Sequence, residues 1–236
     1  MLSLWLMNRI GRLFLFPMAG ALLAAAAPTD PQTDTVRDVI VADARASVPA
    51  AIAFDRTTTT TKNSPLGRET NVTVDRWDGQ KWVLVSVNGK PPGAGQLKNH
   101  RTVTTAQPVP GYHRLAIIFG AATIMGQDDQ GRQVVKIPVL PAGSVRTDNA
   151  DISRHLSGEA VITTTNGKPW VTELKLKARE SFKLTSLIKV TEFNQNFDYR
   201  LGPDGRPRLA AQTALSKGQM FGFSGGETNQ VTYTYR

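Results

Sequence analysis

Arg68-Glu69-Thr70-Asn71-Val72-Thr73-Val74-Asp75-Arg76-Trp77-Asp78-Gly79-Gln80-Lys81-Trp82-Val83-Leu84-Val85-Ser86-Val87-Asn88-Gly89-Lys90-Pro91-Pro92 is the stretch on which the fold turns. Arg68 to Trp77 reads as one strand, Asp78-Gly79 as a type I′ turn and Gln80 to Val87 as the returning strand. Asp-Gly between β-prone runs supplies the positive φ angles that match strand twist. In the second strand Trp82, Leu84 and Ser86 alternate with Val83, Val85 and Val87, so both faces are largely apolar. One face is expected to cover a core, and the other to lie beneath a helix, a second layer or a bound apolar molecule.

Working outward, Thr33 or Asp34 begins a helical pattern (Val36, Val39, Ile40, Ala44, Val48) that Pro49 closes. Ile52 and Phe54 open a strand that continues through the threonines 57–61. After Pro91-Pro92, Gly93 to Ala106 is expected to hold a short helix. Leu115 to Met125 reads as a buried short helix ending near Gly120 and then a strand, because eleven residues fall short of the ~20 that span a bilayer. Gln133 to Val139 is a further strand. Glu159 to Thr165 and Pro169 to Ala178 form a hairpin around Asn166-Gly167, with Leu174, Leu176 and Ala178 opposite Glu173, Lys175 and Lys177. Phe182 to Val190 keeps the same alternation, and the changed parity of Phe193, Phe197 and Tyr199 calls for a bulge near Thr191 or Glu192. Pro203-Asp204-Gly205 turns into a strand at Arg208 to Leu215, and a last strand carries Val231, Tyr233 and Tyr235 on one face. The fold class is α+β: a curved, mostly antiparallel sheet, an open half-barrel, with an N-terminal helix and one or two short helices packed on it.

Met1 to Arg12 holds Arg9 and Arg12 and no acid, Leu13 to Leu23 is apolar, and Ala24 to Ala27 is small. This three-part pattern predicts a signal peptide over 1–26 and one β-rich periplasmic domain over 27–236, with no transmembrane span in the mature chain. The 236 residues include no cysteine, which removes disulfides, thiolate metal sites and an acceptor for a lipoprotein's lipid. The formal charge is +9, and losing two arginines with the leader leaves +7. Such a surface favours anionic partners, an anionic membrane surface among them. With an export signal and no recognition-helix or RNP pattern, nucleic acid is not expected.

Catalytic chemistry is not written in the chain. His100, His113 and His155 lie in separate segments without metal-ligand spacing, and no serine sits in a nucleophile elbow, so no cofactor, metal or catalytic residue is assigned. Glu159 and Glu173 face each other across the 159–178 hairpin, a geometry open to paired carboxylates, although such glutamates are far more often simply solvated. Apolar surface is in surplus. Trp82, Leu84, Leu115, Ile118, Phe119, Met125, Phe221 and Phe223 are the candidate lining of a groove for an acyl chain, in which each buried methylene contributes roughly 0.8 kcal/mol.

The order of signal, helix, strand with Ile52 and Phe54, Trp-containing hairpin, helical insertion and antiparallel meander resembles the periplasmic lipoprotein-carrier superfamily, the LolA and LolB type. That resemblance implies an open half-barrel lined with apolar side chains and closed by helices. The stretches Trp82 to Pro92 and Pro203-Asp204-Gly205-Arg206-Pro207 are also similar to proteobacterial periplasmic proteins of no assigned activity. The expected function is non-enzymatic binding of a lipid, a lipoprotein acyl chain or another apolar envelope ligand. The alternative is an envelope scaffold that meets a protein or cell-wall partner through a sheet edge or its basic face.

Overall fold

The structure is a computed structural model and describes residues 31–47, 52–106, 109–121, 123–147 and 150–236. The leader expected over 1–26 lies outside the described residues. Helix α1 (Pro31–Ala46) starts on proline, whose missing N–H costs nothing at a first helical position. It leads into β1 (Phe54–Ser64), β2 (Gly67–Trp77) and β3 (Trp82–Val87), then helix α2 (Ala94–Ala106). A 3-10 turn at Tyr112–Arg114 runs directly into the short helix α3 (Leu115–Ile118). Strands β4 (Ile124–Gln127), β5 (Gln133–Ile137), β6 (Leu156–Thr165), β7 (Lys168–Ala178), β8 (Phe182–Lys183), β9 (Ile188–Leu201), β10 (Pro207–Met220) and β11 (Phe223–Tyr235) complete the chain.

The eleven strands of the described residues belong to one open sheet, not closed into a barrel, in the order β3-β2-β1-β11-β10-β9-β7-β6-β5-β4, with β8 beside β9. Every pairing of these strands is antiparallel. The α+β sheet expected from the sequence is present. Asn166 and Gly167 both have positive φ, as a two-residue type I′ turn requires. The bulge also falls where parity demands it: Lys217 pairs with Glu192 and Gly218 with Val190, leaving Thr191 as the extra residue.

Three local readings are corrected. The Asp78-Gly79 connection is a four-residue loop closed by Trp77 opposite Trp82. The Asp78 carboxylate there accepts from the backbone N–H groups of Gln80 and Lys81, an Asx-type arrangement that competes with the tighter turn. Residues 182–190 are a small hairpin rather than one strand: Phe182 pairs with Val190, and Thr185 Oγ1 accepts from the N–H groups of Leu187 and Ile188. Strand β3 is the sheet edge, bulged at Val85, and Val83 and Val85 are exposed on its outer face rather than covered.

The core lies on the inner face of the sheet. Ile40 and Ala44 of α1 pack with Tyr112, Leu115, Ile118 and Phe119 against Val171, Leu174, Leu176, Tyr199 and Leu209. Tyr112 meets the Tyr199 ring edge-on at 5.3 Å and its hydroxyl accepts from Val171 N–H, beyond the part of β7 that pairs with β9. Burial pushes the Tyr112 phenol up to about 12, the Val171 bond opposing that rise only in part. Among the described residues no helix is long and apolar enough to cross a membrane.

Candidate functional site

Strands β1 and β2 carry the dipeptides Asp55-Arg56 and Asp75-Arg76 in antiparallel register, so Arg56 lies opposite Asp75 and Asp55 opposite Arg76. Successive side chains point to opposite faces, so each face receives one ion pair. On the outer face Arg76 donates to Asp55 at 2.7 Å, and this pairing, partly offset by burial, holds the Asp55 carboxyl below the usual carboxylate range. On the inner face Arg56 grips Asp75 with two bonds, 2.9 and 2.6 Å, and its guanidinium lies 4.1 Å from the Trp82 ring centre.

Asp75 is only 3% exposed. Its Oδ2 also lies 3.0 Å from His100 Nε2, which comes from α2. One carboxylate therefore ties β1, β2 and α2 together. Helix α2 needs that tie, because most of its residues are exposed, Leu97 and Val103 among them. Beside it sits an aromatic cluster. Phe54 lies 5.5 Å from Trp82 and 5.6 Å from both Tyr233 and Tyr235, and Trp77 is 5.6 Å from Trp82.

Between α2 and this floor runs a groove of about 720 Å³. Its apolar walls are Trp77, Trp82, Leu84, Leu97 and Val109, and Lys81, His100 and Arg101 stand at its polar margin. The indole Nε1–H of Trp77 is buried without a hydrogen-bond partner among the described residues. A second concavity, about 750 Å³, lies at the other end of the strands, lined by Leu184, Ile188, Val190, Met220, Phe221 and Phe223 with lysines around it.

The eight candidate lining residues thus fall in three places. Trp82 and Leu84 line the α2 groove, and Phe221 and Phe223 line the far concavity. Leu115, Ile118 and Phe119 are closed inside the core beneath α1, and Met125 packs half-buried against that core. An apolar run in sequence does not reveal what covers it. Sequence reasoning missed the carboxylate tie, although the repeated Asp-Arg dipeptides on adjacent predicted strands were the signal for it.

The histidines lie in three environments. His100 binds Asp75, His155 stacks on Phe182 at 4.4 Å, and burial, reinforced by Arg114, pushes His113 down to about 4. No group of three His, Asp or Glu side chains able to hold a metal occurs among the described residues. Glu159 lies opposite Lys175, not Glu173. Glu173 instead lies opposite Asp198, whose carboxyl is raised by burial and then by Glu173, while Arg132 binds Glu173 at 2.6 Å. That arrangement is an ion-paired strand face, with Arg132 also bound to Asp128 at 2.7 Å.

Fold and groove together define an α+β protein with an open antiparallel sheet and an aromatic groove under a lightly anchored helix. No family model matches the chain, and no curated protein matches it. Among solved structures the chain is similar to a DUF1329 family protein from Desulfovibrio piger, at 10% identity and a TM-score of 0.23 over 88% of this chain and 94% of that one. A score so low carries no argument about this chain.

Proposed function

We propose that this chain is a non-enzymatic periplasmic binding protein for a lipid, a lipoprotein acyl chain or another apolar envelope ligand, which it holds in the groove between α2 and β2–β3. One observation carries the reading: an aromatic and aliphatic floor meets a cationic margin beneath a helix held down by the His100–Asp75 contact. An acyl chain suits the floor, and an anionic or carbonyl headgroup suits the margin. The sequence's resemblance in layout to the lipoprotein-carrier superfamily is in keeping with this reading, as is the leader read from the sequence over 1–26, which would take the chain to the periplasm.

The test is native mass spectrometry of the protein made from the whole chain in a Gram-negative host and purified without detergent. A co-purifying mass matching a phospholipid or an acylated peptide is expected, and Leu97→Asp, at an exposed groove position, should lose it. A bare protein mass, unchanged after incubation with lipid vesicles, refutes the reading. A lipid that Leu97→Asp still retains places the ligand elsewhere. The scaffold reading draws on a different observation: edge strand β4 has no strand on its outer side among the described residues and exposes Ile124, which suits strand addition by a protein partner. Crosslinking in intact cells that recovers one protein, with no lipid bound, would favour it.

A further inference from the structure

Three hairpin ends lie side by side at the end of the sheet away from the α2 groove. In the strand order β2-β1-β11-β10-β9-β8 they are the connections 64–67, 220–223 and 184–187. Register places them at one end: Asn63 pairs with Gly226, Met220 with both Phe223 and Ile188, and Phe221 N–H donates to Leu187 O. Each connection presents apolar side chains to solvent. Leu66 is 99% exposed, Leu187 53%, Met220 54%, Phe221 63% and Phe223 70%. Both exposed phenylalanines among the described residues are here, at the tip of the long β10–β11 hairpin.

Phe221 is also in the wrong place for stability alone. Its φ is +51°, in the left-handed region that the first central residue of a type I′ turn requires, with Gly222 following at +83°. Asparagine or glycine fits there without strain, whereas a bulky aromatic does not. The chain accepts that strain and gains an aromatic ring pointing into water at its tip.

Charge decides what could cover this end. Arg68, Lys183 and Lys189 are exposed and have no ion-pair partner among the described residues. Of the nearby acids, Glu192 and Glu227 are engaged by Lys217 at 2.8 Å and Lys62 at 3.8 Å, while Glu69 accepts only from the neutral Asn71 amide and stays charged, so the three cations outnumber it. An apolar wedge ringed by uncompensated cations matches a bilayer interface carrying anionic headgroups. A second copy of this chain would bring cations against cations.

We propose that this sheet end docks on an anionic lipid bilayer, with Phe221 and Phe223 entering the headgroup–acyl boundary and Arg68, Lys183 and Lys189 contacting headgroups. This goes beyond the groove reading and stands without it. Along β1 the two sites are ten residues apart, or roughly 33 Å of extended strand, so substitutions at one leave the other intact.

The experiment is co-flotation of the protein, made from the whole chain in a Gram-negative host, with mixed phosphatidylglycerol–phosphatidylcholine vesicles and with phosphatidylcholine vesicles alone. Binding to the anionic vesicles is expected, weakening as salt rises. Phe221→Asn/Phe223→Thr should lower the partition coefficient roughly tenfold or more, and Lys183→Glu/Lys189→Glu should abolish the preference for phosphatidylglycerol. Thermal melting checks folding, since asparagine suits the φ of residue 221 and that variant should melt no lower than the parent. Leu97→Asp should bind vesicles as the parent does, which separates this surface from the groove. Vesicle binding unchanged by the phenylalanine pair overturns the proposal, as does failure of the parent to bind anionic vesicles. A concentration-dependent dimer that the same pair abolishes would overturn it in favour of a contact between copies.

Discussion

Replacing Asp75 by asparagine removes one charge and almost no volume from the point where β1, β2 and α2 meet. The carboxylate is 3% exposed, takes two bonds from Arg56 and contacts His100 Nε2. Removing one partner of a buried ion pair leaves the other uncompensated, at a cost of about 3–5 kcal/mol. The Arg56 and His100 side chains keep 18% and 14% of their surface, so water reaches the orphaned charge and the lower figure, about 3 kcal/mol, applies. Urea unfolding followed by tryptophan fluorescence suits the measurement, because Trp82 lies against Arg56. With a slope near 3 kcal/mol/M for a chain of this size, the midpoint should fall by about 1 M. The double variant Arg56→Met/Asp75→Leu should recover most of that loss, since an apolar pair of similar volume replaces a buried salt bridge at little net cost. A shift under about 0.3 M for Asp75→Asn would equate this pair with an ordinary surface ion pair and refute the reasoning.

His100→Ala should loosen α2 while sparing the sheet: amide exchange over 94–106 rises and the β1–β2 amides stay protected, at a global cost of about 1 kcal/mol. Phe221→Asn should raise stability by about 1 kcal/mol by relieving the left-handed backbone, seen as a melting temperature higher by about 2–4 °C. His113 is held neutral by burial, its folded value near 4 lying below its ordinary 6.5. The unfolded chain therefore binds the extra proton first, and stability should drop as pH falls from about 6.5 to about 4. The loss is about 1–2 kcal/mol once solvent screening of a partly exposed ring is allowed for, and His113→Leu should flatten the profile. Gly218→Ala would drive a methyl into the Lys189 backbone carbonyl oxygen at the Thr191 bulge, so a loss of about 2–3 kcal/mol is expected in thermal or urea unfolding.

The strands were legible wherever backbone chemistry is local. Asn-Gly at 166–167 specifies its own turn, and the parity change after Val190 requires an extra residue in whichever strand contains it. Reading 182–190 as one strand failed because a tight hairpin that pairs Phe182 with Val190 keeps the same alternation. Thr185 and Ser186 were the only turn signals, and they are weaker than glycine. The groove was half legible. Trp82 and Leu84 line it as expected, but Leu115, Ile118 and Phe119 vanish beneath α1, a contact between elements about 70 residues apart that no local pattern encodes. The inner-face tie was written as two Asp-Arg dipeptides, and reading it required the β1–β2 register as well as the strands.

Strand β11 lies between β1 and β10, pairing with β1 over residues 226–235 and with β10 over residues 223–232. Without it, the described sheet is two unconnected ribbons: β1 to β3, and the run from β4 to β10. Each ribbon would carry a long raw edge able to recruit a foreign strand. The clasp is residues 223–235, more than 150 residues downstream of β1, so the pairing that unites the molecule is among its most distant in sequence. Such topologies mature slowly, and the two ribbons cannot join until this segment is in place. That interval, rather than the finished fold, is when the protein is most exposed to aggregation and most in need of a chaperone.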